Sequence, residues 1–212
     1  MKSLKESIFD DVEDIVNDDT VLIEQFLKDN YEIDGTYIIE GSYDINGNVV
    51  DVKGHAIVKN EKIESLTNGL FRFGTVNGNF YCTGCPKLKS LEGAPKKVGL
   101  DFYCYDCSNL VSLKGAPELV IGDFYCTGCP KLKSLEGAPE LVGGRFDCTK
   151  CMSLTSLEGA PRKVALSFVC VDCPNLKSLK GAPKEVGWSL DCRNCKNLKI
   201  TDQDREKYKI LA

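Results

Sequence analysis

The chain has 212 residues, of which 42% are hydrophobic and 27% charged, and its formal net charge is −4. It is therefore long enough to bury a core and polar enough to remain in solution. Its 27 basic residues are spread along the sequence, which argues against nucleic acid as a ligand because phosphate binding needs a dense cationic surface. No stretch approaches the roughly 18 apolar residues of a membrane-spanning helix, so no membrane partner is expected.

Residues 1–59 are predicted to form an α+β capping region. Two helical stretches, 3–17 and 18–31, come first, and strands follow that are joined by a turn at Asn46-Gly47. Asp19 is a candidate N-cap of the second helix. The apolar face of that helix is predicted to consist of Val21, Leu22, Phe26 and Leu27.

Twelve cysteines all lie on one lattice of Cys-x-x-Cys pairs that recur every 22 residues. The first cysteines of the pairs are Cys82, Cys104, Cys126, Cys148, Cys170 and Cys192. The second cysteines are Cys85, Cys107, Cys129, Cys151, Cys173 and Cys195. Because the N-terminal sequence is not typical of a secretory signal peptide, we expect free thiols in a reducing, cytoplasmic compartment.

The complete repeat reads C-x-x-C-x-x-L-x-S-L-x-G-A-P-x-x-V-x-x-x-F-x. A fixed period of this length is typical of a solenoid, in which each turn buries its apolar face against its neighbours. The Phe-x-Cys segment has strand periodicity, and Gly-Ala-Pro marks a corner. We therefore predict a mainly β repeat solenoid with one parallel strand and one irregular returning segment per 22-residue turn.

The predicted organisation continues from the capping region to the C-terminus. Residues 60–81 form a degenerate first repeat that lacks the cysteines, and 82–200 hold six repeats, of which the last is incomplete. Residues 201–212 are predicted to form a capping helix that starts at Thr201 or Asp202. Caps are expected because the open ends of a solenoid need polar covers.

The run F-x-C-x-x-C-x-x-L-x-x-L over residues 80–200 resembles the cysteine-bearing variety of leucine-rich repeats, in particular uncharacterised repeat proteins of bacteria and their phages. This sequence departs from that pattern by Phe and Cys at strand leucine positions and by its Gly-Ala-Pro corner. The resemblance implies a solenoid that binds a partner and catalyses no reaction. It also implies that the second cysteine of each pair takes the position of a polar ladder residue, which donates to backbone carbonyls.

The cysteine pairs also fit a metal site by spacing. Two successive pairs satisfy the C-x2-C-x15–20-C-x2-C pattern, so six pairs could hold three zinc ions. However, all intervals are equal, whereas a zinc ribbon needs only alternate intervals to be fixed. The first cysteine also has the inward parity of a buried strand residue. We favour structural thiols and predict no metal and no cofactor.

Catalytic residues are not predicted, because His55 is the only histidine and no glycine-rich phosphate loop precedes a helix. The expected function is non-enzymatic binding of a protein partner through the outer face of the strands, where residues vary between turns. Tyrosine and arginine are frequent interface anchors. The predicted partner-binding residues are Tyr81, Asp101, Tyr103, Tyr105, Asp123, Tyr125, Arg145 and Asp147.

Two alternatives to this function remain at the level of sequence. One is a zinc-binding array of cysteine pairs. The other is an architectural component of a phage particle, because the leader MKSLKESIFDD resembles the targeting leaders of phage internal head proteins. The oligomeric state is not encoded in any pattern of the sequence.

Overall fold

The structure is a computed structural model that describes residues 20–29, 36–67 and 69–212. The predicted helix over 3–17 and the candidate N-cap Asp19 lie outside the described residues. The described chain forms a mainly β solenoid of about seven turns with a spacing of 22 residues, which confirms the predicted architecture at this level.

Two sheets run along the solenoid, here called the front sheet and the back sheet. The nine front strands, in sheet order, are β1 (Tyr37–Glu40), β4 (His55–Val58), β6 (Phe80–Tyr81), β8 (Phe102–Tyr103), β10 (Phe124–Tyr125), β12 (Phe146–Asp147), β14 (Phe168–Val169), β16 (Leu190–Asp191) and β17 (Ile210–Leu211). The eight back strands are β2 (Tyr43–Asn46), β3 (Val49–Val52), β5 (Arg72–Val76), β7 (Lys97–Val98), β9 (Leu119–Val120), β11 (Leu141–Val142), β13 (Lys163–Val164) and β15 (Glu185–Val186).

The back sheet corrects the prediction of one strand per turn. The returning segment after each Gly-Ala-Pro corner contains a second two-residue strand that ends at the repeat's valine, as in β7 and β9. These strands pair in parallel, with Val98 beside Val120 and Val120 beside Val142. Each turn therefore contributes one strand to each sheet, and the core lies between them.

Columns of identical side chains fill that core. The phenylalanines of successive front strands stack, with ring centroids 4.9 Å apart for Phe102 and Phe124 and 5.2 Å apart for Phe146 and Phe168. Cysteine, leucine and valine columns lie beside them, and almost all of these side chains are completely buried. Because every turn repeats the same shape, each column packs against itself at the strand spacing of about 4.8 Å.

The Gly-Ala-Pro corner needs glycine for two separate reasons. Gly137 has φ +88°, which side-chain-bearing residues rarely adopt, and a Cβ added there would lie 2.6 Å from the backbone N and Cα of Lys114 in the preceding turn. The residue before the second cysteine is also left-handed, but it is glycine in two turns, Gly84 and Gly128, and Asp106 or Lys150 in others. Only at the glycine of the Gly-Ala-Pro corner do backbone atoms of the preceding turn leave no room for a side chain.

A second corner joins each back strand to the next front strand, and its backbone packing alternates between turns. Gly99 and Gly143 follow the repeat's valine in alternate turns, and a Cβ on either would lie 2.1 Å from a carbonyl oxygen of the preceding turn. The intervening turns carry Ile121 and Ala165 at the same place. The close approach that demands glycine therefore occurs in every second turn.

The N-terminal region packs one helix and two antiparallel strand pairs onto the first turns. Strand β1 pairs with β4 and β2 with β3, and Gly47 in the predicted turn has φ +58°. Residues 20–29 form helix α1, which buries Ile23 and Leu27. The predicted apolar face was wrong at Val21 and Leu22, which are 60% and 50% exposed.

At the C-terminal end, helix α2 (Asp202–Lys207) begins after the N-cap Thr201, which forms a capping box with Asp204. The helix is shorter than predicted, because Ile210 and Leu211 extend as β17 and add to the front sheet. The hydroxyl of Tyr208 donates to the carbonyl of Pro183 at 2.7 Å and fixes this segment to the last proline corner. Among the described residues, no helix has the length and apolar character needed to cross a bilayer.

Candidate functional site: the outer face of the front sheet

Each turn's second cysteine donates its thiol hydrogen to a backbone carbonyl of the preceding turn. Cys107 Sγ lies 3.2 Å from the oxygen of Cys82, and Cys129 Sγ lies 3.3 Å from that of Cys104. The same bond recurs, 3.0–3.4 Å long, from Cys151, Cys173 and Cys195. These cysteines therefore occupy the expected ladder position, and their thiols, although weak donors, bond to the backbone carbonyls of the preceding turn.

Burial opposes ionisation of the thiols. It raises the pKa of Cys82 to about 11 and holds the pKa of Cys104 and Cys126 well above the ordinary value. Only Cys195 is partly exposed, and the neighbouring thiols of Cys170 and Cys173 lower its pKa. All twelve cysteines are free thiols.

The thiols do not converge as metal ligands would. A tetrahedral zinc site needs four sulfurs around one point, whereas these sulfurs are spread along the solenoid axis beside carbonyl groups. Within residues 20–29, 36–67 and 69–212, no group of three or more histidine, cysteine or acidic side chains is placed to hold a metal ion.

The predicted tyrosines form an ordered stack on the outer face of the front sheet. The ring centroids of Tyr81 and Tyr103 are 4.8 Å apart, those of Tyr103 and Tyr125 are 5.1 Å apart, and the rings are within 3° of parallel. All three side chains are half-buried, and Tyr105, a residue that is 41% exposed, packs its ring nearly perpendicular to that of Tyr103. The structure thus brings all four predicted tyrosines together.

The predicted aspartates have a structural role beside these rings. Asp123 accepts the backbone N–H of Arg145 on Oδ1 and the hydroxyl of Tyr125 on Oδ2, at 2.6 Å for the latter. Asp101 accepts the N–H of Asp123 at 2.7 Å and the hydroxyl of Tyr103 at 2.8 Å. Each carboxylate therefore joins two successive turns and also fixes a tyrosine.

This carboxylate ladder starts before the tyrosines. Asn79 Oδ1 accepts the N–H of Asp101 at 2.9 Å, and its amide donates to the hydroxyl of Tyr81 at 2.7 Å. His55 Nδ1 in turn accepts the N–H of Asn79 at 2.9 Å. The single histidine thus holds a structural position at the head of the ladder.

Burial and hydrogen bonding to the carboxylates raise the pKa of Tyr103 and Tyr125. Burial, followed by the bond to Asp123, raises the pKa of Tyr125 to about 12, and the same causes raise that of Tyr103 further. Both hydroxyls therefore stay protonated at neutral pH and keep their rings in place as donors.

The ladder and the tyrosine stack both end at the turn that contains β12. Arg145 donates its backbone N–H to the ladder, but its exposed guanidinium makes no hydrogen bond or ion pair within the described part of the chain. Asp147 takes the place of the next tyrosine, and its Oδ1 accepts from the backbone of Thr149 at 2.9 Å and from the hydroxyl of Thr127 at 3.3 Å. All eight predicted residues therefore share one face, in two chemically distinct halves.

Small side chains beyond this point leave a depression, here called the basin, of about 410 Å³. Two serine hydroxyls in it, Ser167 and Ser189, lie 3.1 Å apart. At its far side Arg193 forms a bidentate ion pair with the buried Asp191, at 2.7 and 2.9 Å. The residues that line it are Arg145, Thr149, Ser167, Val169, Val171, Ser189, Asp191, Arg193 and Leu211.

Sequence reasoning placed the tyrosines on this face but missed the ladder and the basin. A signal for the ladder was available, because the motif Asn/Asp-Phe-Tyr occurs in three successive turns, starting at Asn79, Asp101 and Asp123. The basin gave no positive signal, since it arises where large residues are absent.

The chain matches no family model, no curated protein and no solved structure.

Proposed function

We propose that the chain is a non-enzymatic binding module that holds a protein partner against the outer face of the front sheet. The observation that carries this proposal is the ordered tyrosine stack, with centroid spacings of 4.8 and 5.1 Å and hydroxyls bound to carboxylates. Stacking and hydrogen bonds hold these rings in place before any partner arrives. Binding therefore costs little side-chain entropy, which for a mobile interface side chain is about 0.5–1.5 kcal/mol.

The side chains of this face form two groups, one that supports the structure and one that is available to contact a partner. Tyr103 and Tyr125 are half-buried and bound to the ladder, so they form a rigid floor. The side chains of Tyr105 and Arg145 project from it, are exposed and make no hydrogen bond to the ladder. Large, partly exposed aromatic and arginine side chains on a rigid support are typical anchors of protein interfaces.

The size of the face limits the way in which a partner is held. Nine strands at about 4.8 Å spacing extend about 38 Å, and three outward columns are about 15 Å wide. The area is therefore on the order of 600 Å², somewhat below the roughly 800 Å² per partner of a standard interface. A partner has to follow most of the solenoid's length to bind tightly.

We infer in addition that the chain is a relative of the leucine-rich repeats, of bacterial or phage origin, and that it works in a reducing cytoplasm. The 22-residue spacing and the thiol ladder support the kinship. Twelve free thiols, most of them fully buried, support the reducing compartment. The second strand in each turn stands where many leucine-rich repeats have a helix.

Site-specific photocrosslinking tests the binding face. A photoreactive benzophenone amino acid replaces Tyr105 in one protein and Ile121 in a matched control. Ile121 is 50% exposed and lies at the corner between the back strands and the front strands. We expect irradiation in the native host to give one adduct of defined mass from position 105 and none from position 121.

The adduct then identifies a partner for quantitative measurement. We expect Tyr105→Ala to weaken its binding at least tenfold, because a truncated aromatic anchor typically costs about 2 kcal/mol or more. Ile121→Ala leaves the affinity unchanged. Absence of an adduct at position 105, or equal adducts at both positions, rejects the proposal.

A further inference from the structure

The basin contains two sources of hydrogen-bond donors without an acceptor in the described part of the chain, Arg145 and the serine pair, beside apolar side chains. The guanidinium of Arg145 offers five N–H groups, none of which is used within the described part of the chain. Its backbone N–H is already bound to Asp123, so the strand holds the base of the side chain at a fixed place on the rim. The free donors belong to a side chain that lines the basin.

The serine pair adds another donor. Ser167 Oγ and Ser189 Oγ share one hydrogen bond of 3.1 Å, in which either hydroxyl can donate. Two hydroxyls have two hydrogens, and one shared bond uses only one of them. The pair therefore keeps one O–H for a ligand, close to the floor formed by Val169 and Val171.

The acidic groups nearby are occupied. Arg193 binds both oxygens of Asp191, and that ion pair together with its hydrogen bonds lowers the pKa of Asp191 although burial opposes the shift. Asp147 is satisfied at Oδ1 by neutral donors from Thr149 and Thr127. The formal charges of Arg145, Asp147, Asp191 and Arg193 sum to zero, so attraction of a ligand depends on the directed donors of the basin.

We propose that the basin binds the carboxylate of an acidic side chain, glutamate or aspartate, presented by the protein partner. Arg145 holds the carboxylate through two parallel N–H bonds, the serine pair donates a third, and the methylenes of the side chain lie on Val169 and Val171. This assignment deepens the proposed function and rests on it, because the acidic residue belongs to the same partner.

Together with the other half of the face, this site determines where along the solenoid a partner binds. Asp101 and Asp123 lie along the tyrosine stack, so an acidic group placed there meets like charges, whereas the same group in the basin meets Arg145. Repulsion at one place and binding at another fix the position of a partner along the solenoid. Without this discrimination, the three turns that carry the tyrosine stack would offer a partner several similar registers.

Methyl NMR of the full-length protein tests the site without any partner. The probes are N-acetyl-glutamate amide, which has one side-chain carboxylate, its uncharged counterpart N-acetyl-glutamine amide, and inorganic phosphate. We expect the glutamate compound to shift the methyl signals of Val169 and Val171 with saturation in the millimolar range. The glutamine compound should bind at least fivefold more weakly, because hydrogen bonds to a charged group are about twice as strong as neutral ones.

Two glutamine variants provide the matched comparison. Arg145→Gln keeps the backbone N–H that serves the ladder, and it should weaken binding of the glutamate compound about tenfold or more. Arg162→Gln removes an arginine that lies among Glu140 and Glu185 on the other side of the molecule, and it should leave the titration unchanged. Methyl signals away from the basin report that both variants are folded.

Three outcomes contradict the carboxylate site. Equal shifts with the glutamate and glutamine compounds, or equal loss in both variants, show that the basin does not recognise a carboxylate. Tighter binding of phosphate than of the glutamate compound would show that the basin recognises a phosphorylated ligand instead. A failed photocrosslink at position 105 together with a successful titration rejects the proposed partner face but leaves the anion site standing.

Discussion

Substitution of the Gly-Ala-Pro glycine gives the sharpest test of how turns pack. Gly137→Ala places a residue with a side chain at φ +88°, and its Cβ would lie 2.6 Å from two backbone atoms of Lys114. The left-handed conformation costs about 1–2 kcal/mol. Overpacking against a backbone that cannot rotate away adds about 1–3 kcal/mol. We expect a total loss of about 2–5 kcal/mol in the free energy of unfolding.

The chain itself provides a matched control for this substitution. Gly84 is also left-handed, at φ +59°, but a Cβ added there has no atom within 4 Å. Gly84→Ala should therefore show only the conformational cost of about 1–2 kcal/mol. Urea denaturation followed by circular dichroism compares the midpoints and slopes of both variants, since arrays of repeats can unfold in more than one step. Equal losses in the two variants would refute the close approach between turns.

Two further predictions concern the ladder and the thiols. Asp123→Ala should lower the free energy of unfolding by about 1–3 kcal/mol, because the backbone N–H of Arg145 and the hydroxyl of Tyr125 both lose an acceptor. Asp123→Asn should change it by less than about 0.5 kcal/mol, because Asn79 already makes the equivalent pair of bonds. A similar loss of stability in both variants, measured in urea, would contradict the ladder. Stability should also fall as the pH rises above about 8.5, since the unfolded thiols ionise near their ordinary pKa of 9 while the pKa of ten of the folded thiols is raised. The stability that these raised pKa values provide is fully present well below pH 9 and is lost as the pH rises through 9 toward the folded values, by about 0.4 kcal/mol per thiol at pH 9, or about 4 kcal/mol for ten. Urea midpoints in reducing buffer that are unchanged between pH 7 and pH 9.5 would show that the thiols are not buried in the protonated form.

The repeat period and the inward parity of Phe102 and Cys104 could be predicted because they depend on residue spacing alone. The back sheet could not, because a repeat strand such as β7 buries only one apolar residue, Val98, whereas the front segment alternates the buried Phe102 and Cys104. Helix α1 illustrates a different limit: the pattern permits an apolar face at either Leu22 or Ile23, and packing against the first turns selects Ile23. Neighbouring turns supply the information that local sequence lacks.

The candidate site also has parts that the sequence predicts and parts that depend on neighbouring turns. The tyrosine column follows from parity, but the role of Asp123 depends on a backbone N–H 22 residues later in the chain, at Arg145. That partner becomes identifiable only when the register between turns is known. The basin depends on the small size of Ser167 and Val169 compared with the tyrosines of earlier turns, which is a property of the surface as a whole.

The alternating corner of the back sheet sets the step by which a chain of this kind can be lengthened or shortened. Removal of residues 124–145 would place Ala165 directly over Ile121, where only a glycine fits because the carbonyl oxygen of Ile121 approaches within 2.1 Å of the added Cβ at Gly143. Removal of 102–123 would instead set Gly143 over Gly99 without a clash. Insertion or loss of two turns, about 10 Å along the axis, preserves the alternation at every corner. The modular unit for engineering longer or shorter versions is therefore a pair of turns, twice the period that the sequence displays.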